Sequence, residues 1–278
     1  MSKKLSFHDQ LIVRPGTKVK LHEWNPEETF GFSKDDEKTH STLAKLLRHL
    51  DDLQNLLYAS KKYALIIVLQ GVDSAGKDGT IRHVMSGVSP QGCRVTSFKT
   101  PTEEELLHDF LWRIHKAVPE RGEIGIFNRS HYEDVLAVRV HKLLHKSVWS
   151  KRYKEINRFE RQISNDNVKV LKFFLHISRE EQLKRLDERL HDKKKEWKLS
   201  SADFREREYW PQYVSAYEDA LSYCSTPWAP WFIIPSNHKW LRNIAVSHII
   251  VKTLEDMNMK FPKATIKINK RTGLPVKG

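Results

Sequence analysis

The stretch "GVDSAGKDG", residues 71 to 79, has the residue types needed to hold phosphate. Gly71, Gly76 and Gly79 let a chain turn tightly, and the backbone N–H groups of such a turn converge at the positive end of the helix that follows. Lys77 adds a full charge at that point. From Gly71 through Gly76 and Lys77 the spacing matches the phosphate-cradling pattern G-x-x-x-x-G-K-[ST]. The last position differs, because Asp78 stands where a magnesium-binding hydroxyl belongs. The loop is expected to bind phosphate through Gly71, Ala75, Gly76, Lys77, Asp78, Gly79 and Thr80. A carboxylate inside an anion cradle is costly unless a cation lies between it and the phosphates. Asp73 therefore reads as a magnesium ligand, direct or through water, and Asp78 as an acid favoured by the helix N-terminus.

A second group follows in "FNRSHYED", residues 127 to 134. Asn128 occupies the place where nucleotide kinases usually put a magnesium-binding Asp. Arg129 beside it can stabilise charge on a transferring phosphoryl group, and Glu133 or Asp134 can supply the missing carboxylate. His131 could be a phosphohistidine nucleophile or a hydrogen-bonded loop residue; no base or orienting acid is identifiable for it, which favours the second reading. A third group, "KRLDERLHDKKKEWKLSSADFREREYW", carries Arg185, Arg189, Lys193, Lys194, Lys195, Lys198, Arg205 and Arg207. Such a run is usually a solvated helix face. Its place after a strand also lets it close over phosphates and exclude water, with Trp197, Tyr209 and Trp210 seating its base. His141 and His145 share a helix face, but no H-E-x-x-H accompanies them, so they read as solvated basic residues and not zinc ligands.

These groups need strands and helices to bring them together. "ALIIVLQ" (64 to 70) is a continuous apolar run, as expected of a strand covered on both faces. "CRVTSF" (93 to 98), "EIGIF" (123 to 127), "VKVLKFFLHI" (168 to 177) and "WFIIP" (231 to 235) supply four more strands. Before the first strand, Leu43, Leu46, Leu47, Leu50, Leu53, Leu56 and Leu57 recur at three- and four-residue steps on one helix. "PTEEELLHDFLWRIHKAV" reads as one helix opened by a Thr102–Glu105 capping box, and Ser178 with Glu181 caps another in the same way. Strands alternating with helices specify one α/β domain, a parallel sheet with helices on both faces. Its appendages are a polar arm over about residues 1–40, a lid over about 184–210 and a basic tail over about 259–278.

Composition narrows the partners. Forty-eight Lys and Arg against 35 Asp and Glu give a net charge of +13, which favours a polyanion. Cys93 and Cys224 form no disulfide framework or metal-ligand spacing, and no apolar run approaches the roughly 18 residues of a membrane span. A cytoplasmic protein without a membrane partner is expected.

Taken in order, "GVDSAGKDGTI", "FNRSHYEDVL", "RLDERL" with "EWKLSSAD", and "APWFIIPSNHKWLRN" resemble the polyphosphate kinase 2 family. "PTEEEL" and "DFLWRIH" beside "FNRSHYED" resemble its class III. The resemblance runs from about Ile12 to Met257. It implies a P-loop kinase-like three-layer sandwich, with a five-stranded parallel sheet and a helical lid. The implied reaction is magnesium-dependent transfer from inorganic polyphosphate to AMP and ADP, forming ADP and ATP, with manganese as an alternative ion. By position it makes Asp73, Lys77, Arg129 and Arg189 catalytic. Asn128, Arg129, Glu133 and Arg189 bind nucleotide and Asp73 and Glu133 bind metal, while the basic run adds Lys193, Lys194 and Lys198 as polyphosphate-binding residues. Asn128 departs from the Asp of other classes. The family commonly forms dimers or tetramers. The rivals are an ATP-dependent nucleotide or small-molecule kinase, which would want Ser or Thr after Lys77, and a nucleic-acid-binding module, for which no helix-turn-helix, RNP or zinc-finger pattern appears.

Overall fold

Seven consecutive residues that are apolar or β-branched up to a terminal Gln form β1 (Ala64–Gln70), and all seven are buried. Such a strand needs cover on both faces, and the computed structural model, which describes residues 6–193 and 201–263 (side chains of 201–203 excepted), supplies it. Along the chain come α1 (Phe7–Leu11), α2 (Glu37–Ser60), β1, α3 (Lys77–Val84), β2 (Cys93–Ser97), α4 (Glu103–Leu106) and α5 (Trp112–His115). They are followed by β3 (Ile124–Asn128), a 3-10 turn (His131–Asp134), α6 (Ala137–Val140), α7 (Lys146–Asn165), β4 (Val168–His176) and α8 (Arg179–Leu190). The last elements are α9 (Ser201–Glu206), α10 (Trp210–Cys224), β5 (Trp231–Pro235) and α11 (Lys239–Asp256).

The five strands form one parallel sheet in the order β2-β3-β1-β4-β5. Side-chain alternation divides its two faces. Ile66 and Val68 join Ile156 and Phe159 of α7 and Ala220 and Leu221 of α10 in one core. Leu65, Ile67 and Leu69 join Leu50 and Leu57 of α2 and Ile244 and Ile249 of α11 in the other. This is the expected three-layer P-loop kinase-like sandwich. The chain leaves β1 toward β2 on one side and β4 toward β5 on the other. The carboxyl ends of β1 and β4 therefore flank a topological switch point, where open α/β sheets hold ligands.

The arm is less irregular than its polarity suggests. Phe7 and Leu11 on α1 enter the α11-side core, whereas Val13, Val19 and Leu21 enter the opposite one. Between them Ile12 bridges Phe232 in antiparallel fashion and Val13 N–H donates to Trp231 O at 2.8 Å, so the arm passes around the outer edge of β5.

Other expectations need correction. The helix predicted over 101 to 118 is two short pieces, α4 and α5. The Thr102–Glu105 capping box forms, but Asp109 then accepts the Leu111 N–H at 2.9 Å and starts a new turn. Leu106 and Leu107 are left exposed by the break. Ser178 caps α8 by accepting from Glu181 N–H, yet the return bond is missing because Glu181 pairs with Arg185 at 2.7 Å. His141 is not merely solvated: it lies 3.2 Å from Glu206 and 3.3 Å from the Tyr213 hydroxyl. His145 caps α7. Lys194, Lys195, Trp197 and Lys198 of the expected lid, and residues 264–278 of the tail, lie outside the described residues. Among the described residues no helix is long and apolar enough to cross a membrane.

Candidate functional site

The chain after β1 turns through a left-handed Ser74 (φ 66°) and Gly76 (φ 106°) and enters α3 at Lys77. Gly71 is required by space, since a Cβ there would come within 2.9 Å of both Ala75 Cβ and Leu175 O. Ala75 anchors the loop in the core while its N–H donates to Val72 O. Gln182 of α8 donates to Asp73 O at 2.9 Å, and Arg185 donates to Ser74 O and Ala75 O at 3.0 and 2.9 Å. Helix α8 thus holds the outer strand of the loop, while the first N–H groups of α3 have no partner within their helix.

Lys77 Nζ folds back on the loop, donating to Gly71 O at 2.7 Å and Val72 O at 3.4 Å. Burial pulls its pKa below the ordinary lysine value, opposed chiefly by the charge of Asp73. β3 runs in register beside β1, with Leu69 opposite Asn128, and the chain then turns through a left-handed Arg129 (φ 61°) whose N–H donates to Leu69 O. This places Asn128 Nδ2 2.8 Å from Asp78 Oδ1 and Arg129 Nη2 3.0 Å from Asp73 Oδ1. Burial weighs against the Arg129 charge, but Glu133 and Asp73 more than offset it and hold its pKa above the usual value. Glu133 shows the reverse balance: burial pushes its carboxyl up, with Arg129 and Lys77 opposing. Asp73, Lys77, Arg129 and Glu133 therefore form one mutually interacting group of two acids and two bases at the ends of β1 and β3.

Two expected members stand apart from it. Thr80 is buried and its hydroxyl donates to Gly76 O at 3.0 Å, so it braces the first turn of α3 and does not face a phosphate. Asp134 points away, paired with Arg152 at 2.9 Å and Arg113 at 3.6 Å, which leaves Glu133 as the carboxylate of this turn that faces the loop. Arg189 is half-buried on α8, one turn beyond Arg185, and exposed Lys193 follows the end of that helix.

A glycine-rich loop carrying Asp73 and Lys77, faced by Arg129 and Glu133 from the end of β3, suits many phosphoryl transfers; comparison with known proteins narrows the choice. The family model for polyphosphate kinase 2 (PPK2) matches residues 33–262. The chain belongs to the polyphosphate kinase 2 family. It is 49% identical over 251 residues to an AMP/ADP-polyphosphate phosphotransferase of Meiothermus ruber, covering 90% of this chain and 94% of the relative. To an ADP-polyphosphate phosphotransferase of Rhodopseudomonas palustris it is 44% identical, covering 92% of each. The crystal structure of polyphosphate kinase 2 from Arthrobacter aurescens TC1 superposes with a TM-score of 0.91 at 39% identity, over 96% of this chain and 95% of that one.

Beneath the site lies a buried polar network that sequence reasoning missed. Glu160 accepts from His131 at 3.1 Å and from the Tyr132 hydroxyl at 3.0 Å, and pairs with Lys172 at 2.6 Å. Lys172 also donates to the Tyr132 hydroxyl and to Cys224 O. His131 and Tyr132 belong to the turn that carries Glu133, so the network fixes that turn from below. His131 thereby has a structural role, with its ring 1% exposed and turned toward Glu160. On the other side, Gln70 donates to Ser130 Oγ and helps hold the Glu133 carboxylate. Each network charge breaks an apolar pattern: Lys172 interrupts "VKVLKFF", and Glu160 lies on the Ile156, Phe159, Ile163 stripe.

Proposed function

We propose that this enzyme transfers the terminal phosphoryl group of inorganic polyphosphate to AMP and ADP in the presence of magnesium. The observation that carries the reading is the coupled group of Lys77, Arg129, Asp73 and Glu133 beside the loop, in a chain of this family. The acceptor name of the Meiothermus ruber relative supports both nucleotides. A net charge of +13 supports a polyanionic donor, held along a cationic track as a nucleic-acid backbone would be.

An acceptor phosphate oxygen attacks the terminal phosphorus in line. The new P–O bond forms as the bridging P–O bond breaks, and its electron pair leaves with the shortened chain. Loop N–H groups, Lys77 and Arg129 neutralise the oxygens of the group in transit, with Arg189 adding charge from α8. Positioning and electrostatics carry the catalysis, and no covalent intermediate on the protein is needed. Lys193, Lys194 and Lys198 guide the rest of the chain.

Asp73 and Glu133 fit a hard divalent ion. Both are oxygen donors in the coupled group, and the desolvated Glu133 carboxyl gains from an added cation. Among the described residues no cluster of three or more His, Cys, Asp or Glu suits a metal. An ion held by these two carboxylates would be completed by substrate phosphates and water. When bound, magnesium supplies charge neutralisation between two anionic substrates; manganese accepts the same donors.

Incubation with AMP or ADP, polyphosphate and magnesium is expected to yield ADP and ATP. Phosphorylation supported by ATP alone as donor would return the chain to the ATP-dependent kinases. A finer test concerns Glu133, which would hold the ion near the acceptor phosphate. Glu133→Asn is expected to lower kcat/KM for AMP more than for ADP, with the gap narrowing at high magnesium. Equal losses for both acceptors would make Glu133 a general structural residue.

A further inference from the structure

Two buried arginines flank the loop, and their hydrogen bonding differs. Arg185 uses every donor it has: Nε pairs with Glu181, Nη1 donates to Ser74 O and Ala75 O, and Nη2 donates to Ser236 O and Asn237 O. It is a structural strut. Arg242, in the first turns of α11, is only 2% exposed, yet its Nε and Nη2 share a single amide oxygen, Asn243 Oδ1, at 3.2 and 2.9 Å. Among the described residues no carboxylate pairs with it and Nη1 donates to no acceptor. A guanidinium almost wholly taken out of water with no counter-charge is costly, and Nη1 keeps only a trace of solvent contact.

Its location gives that cost a purpose. The guanidinium lies across Gly76 and Gly79, at the end of α3 where phosphate is expected. A Cβ added to Gly76 would collide with Arg242 Nη1, and one added to Gly79 would fall 3.4 Å from Nη2. Glycine at position 76 thus serves the left-handed turn and also leaves room for the guanidinium to press against the loop. We infer that Arg242 is a phosphate-binding residue, whose unused donors take an anionic oxygen of the phosphoryl donor held by the loop. Burial and the neighbouring charge of Arg185 lower its pKa to about 9, and the negative charge of a bound phosphate oxygen would oppose both effects.

The inference rests on the loop as the donor site proposed above, and the test separates the two. Arg242→Gln and Arg242→Lys are compared with the parent for thermal stability with and without inorganic tripolyphosphate, and for KM toward polyphosphate and toward AMP. The Gln variant without ligand is expected to be as stable as the parent or more so, because an uncompensated charge is gone. Its tripolyphosphate-induced stabilisation should largely vanish. KM for polyphosphate should rise roughly tenfold or more, as for the loss of a charge-assisted hydrogen bond, while KM for AMP stays within about twofold. Lys should restore part of the effect. A Gln variant that fails to fold, or that folds and keeps the parent's tripolyphosphate response, would make Arg242 a scaffold residue and overturn the inference. Should the parent respond to tripolyphosphate but use only ATP as donor, the donor assignment would fall while the role of Arg242 was still read from the binding arm.

Discussion

Lys77→Ala is expected to fold as the parent does and to transfer phosphoryl groups more slowly by about a hundredfold to a thousandfold, the loss seen when one preorganised charge-stabilising donor is removed. Both halves of that expectation come from the loop. Among the described residues, the Lys77 ammonium donates only to Gly71 O and Val72 O. The loop keeps its shape through Gln182 and Arg185 of α8 and through the Ala75 N–H. Burial already disfavours the charge, so removing it should leave the unfolding midpoint within a few degrees. Turnover and thermal unfolding of the same preparation decide it. A folded variant with near-parental turnover would remove the loop from the chemistry.

Lys172→Met is expected to act in the opposite place, on stability. Glu160 and Lys172 both have fully buried side chains. Taking away one member strands the other charge, at a cost of about 3–5 kcal/mol. Replacing Glu160 with Gln in the same chain should recover part of that cost, because no charge is then left alone. The pH dependence has a definite sign. In the parent, burial pushes Glu160 up, but Lys172 and His131 outweigh it and hold its pKa below 4.5. Its contribution is therefore complete above the unfolded carboxylate value and is lost as pH falls through the lower folded value. In Lys172→Met burial prevails and the folded pKa rises. The variant should then gain stability relative to the parent as pH falls from 7 toward 5. Chemical denaturation across that range measures it; a constant difference would mean that Glu160 stays ionised without its partner.

The parts of the molecule visible in sequence are those where one strong force acts alone. β1 and β5 have the predicted limits, 64–70 and 231–235, because strands buried on both faces must be apolar throughout. The loop was visible because glycine spacing and a lysine leave few alternatives. Where local hydrogen bonding competes, the pattern misleads: Asp109 breaks a helix that Thr102 and Glu105 start correctly. Likewise Glu181 could have returned a bond to Ser178, but a buried guanidinium in reach is the stronger partner. The division of labour between Glu133 and Asp134 was hidden because it depends on Arg113 and Arg152, which come from elsewhere in the chain. Arg242 stood inside the motif "APWFIIPSNHKWLRN", but its role was not legible there, since it depends on a missing partner and sequence records only the residues present.

The course of the arm around β5 sets the colloidal behaviour of the molecule. An unpaired sheet edge invites another strand, from a second molecule or from an aggregate. Here Ile12 and Val13 occupy the β5 side, while among the described residues the five-residue β2, with Arg94 and Val95 exposed, ends the other. Strand addition therefore has one direction open to it. A deletion through Val13 would open the second edge and, in the same cut, uncover the apolar seats of Phe7 and Leu11. Such a shortened protein is expected to be lost to precipitation through the β5 edge and the uncovered core, and not through the loop that follows β1.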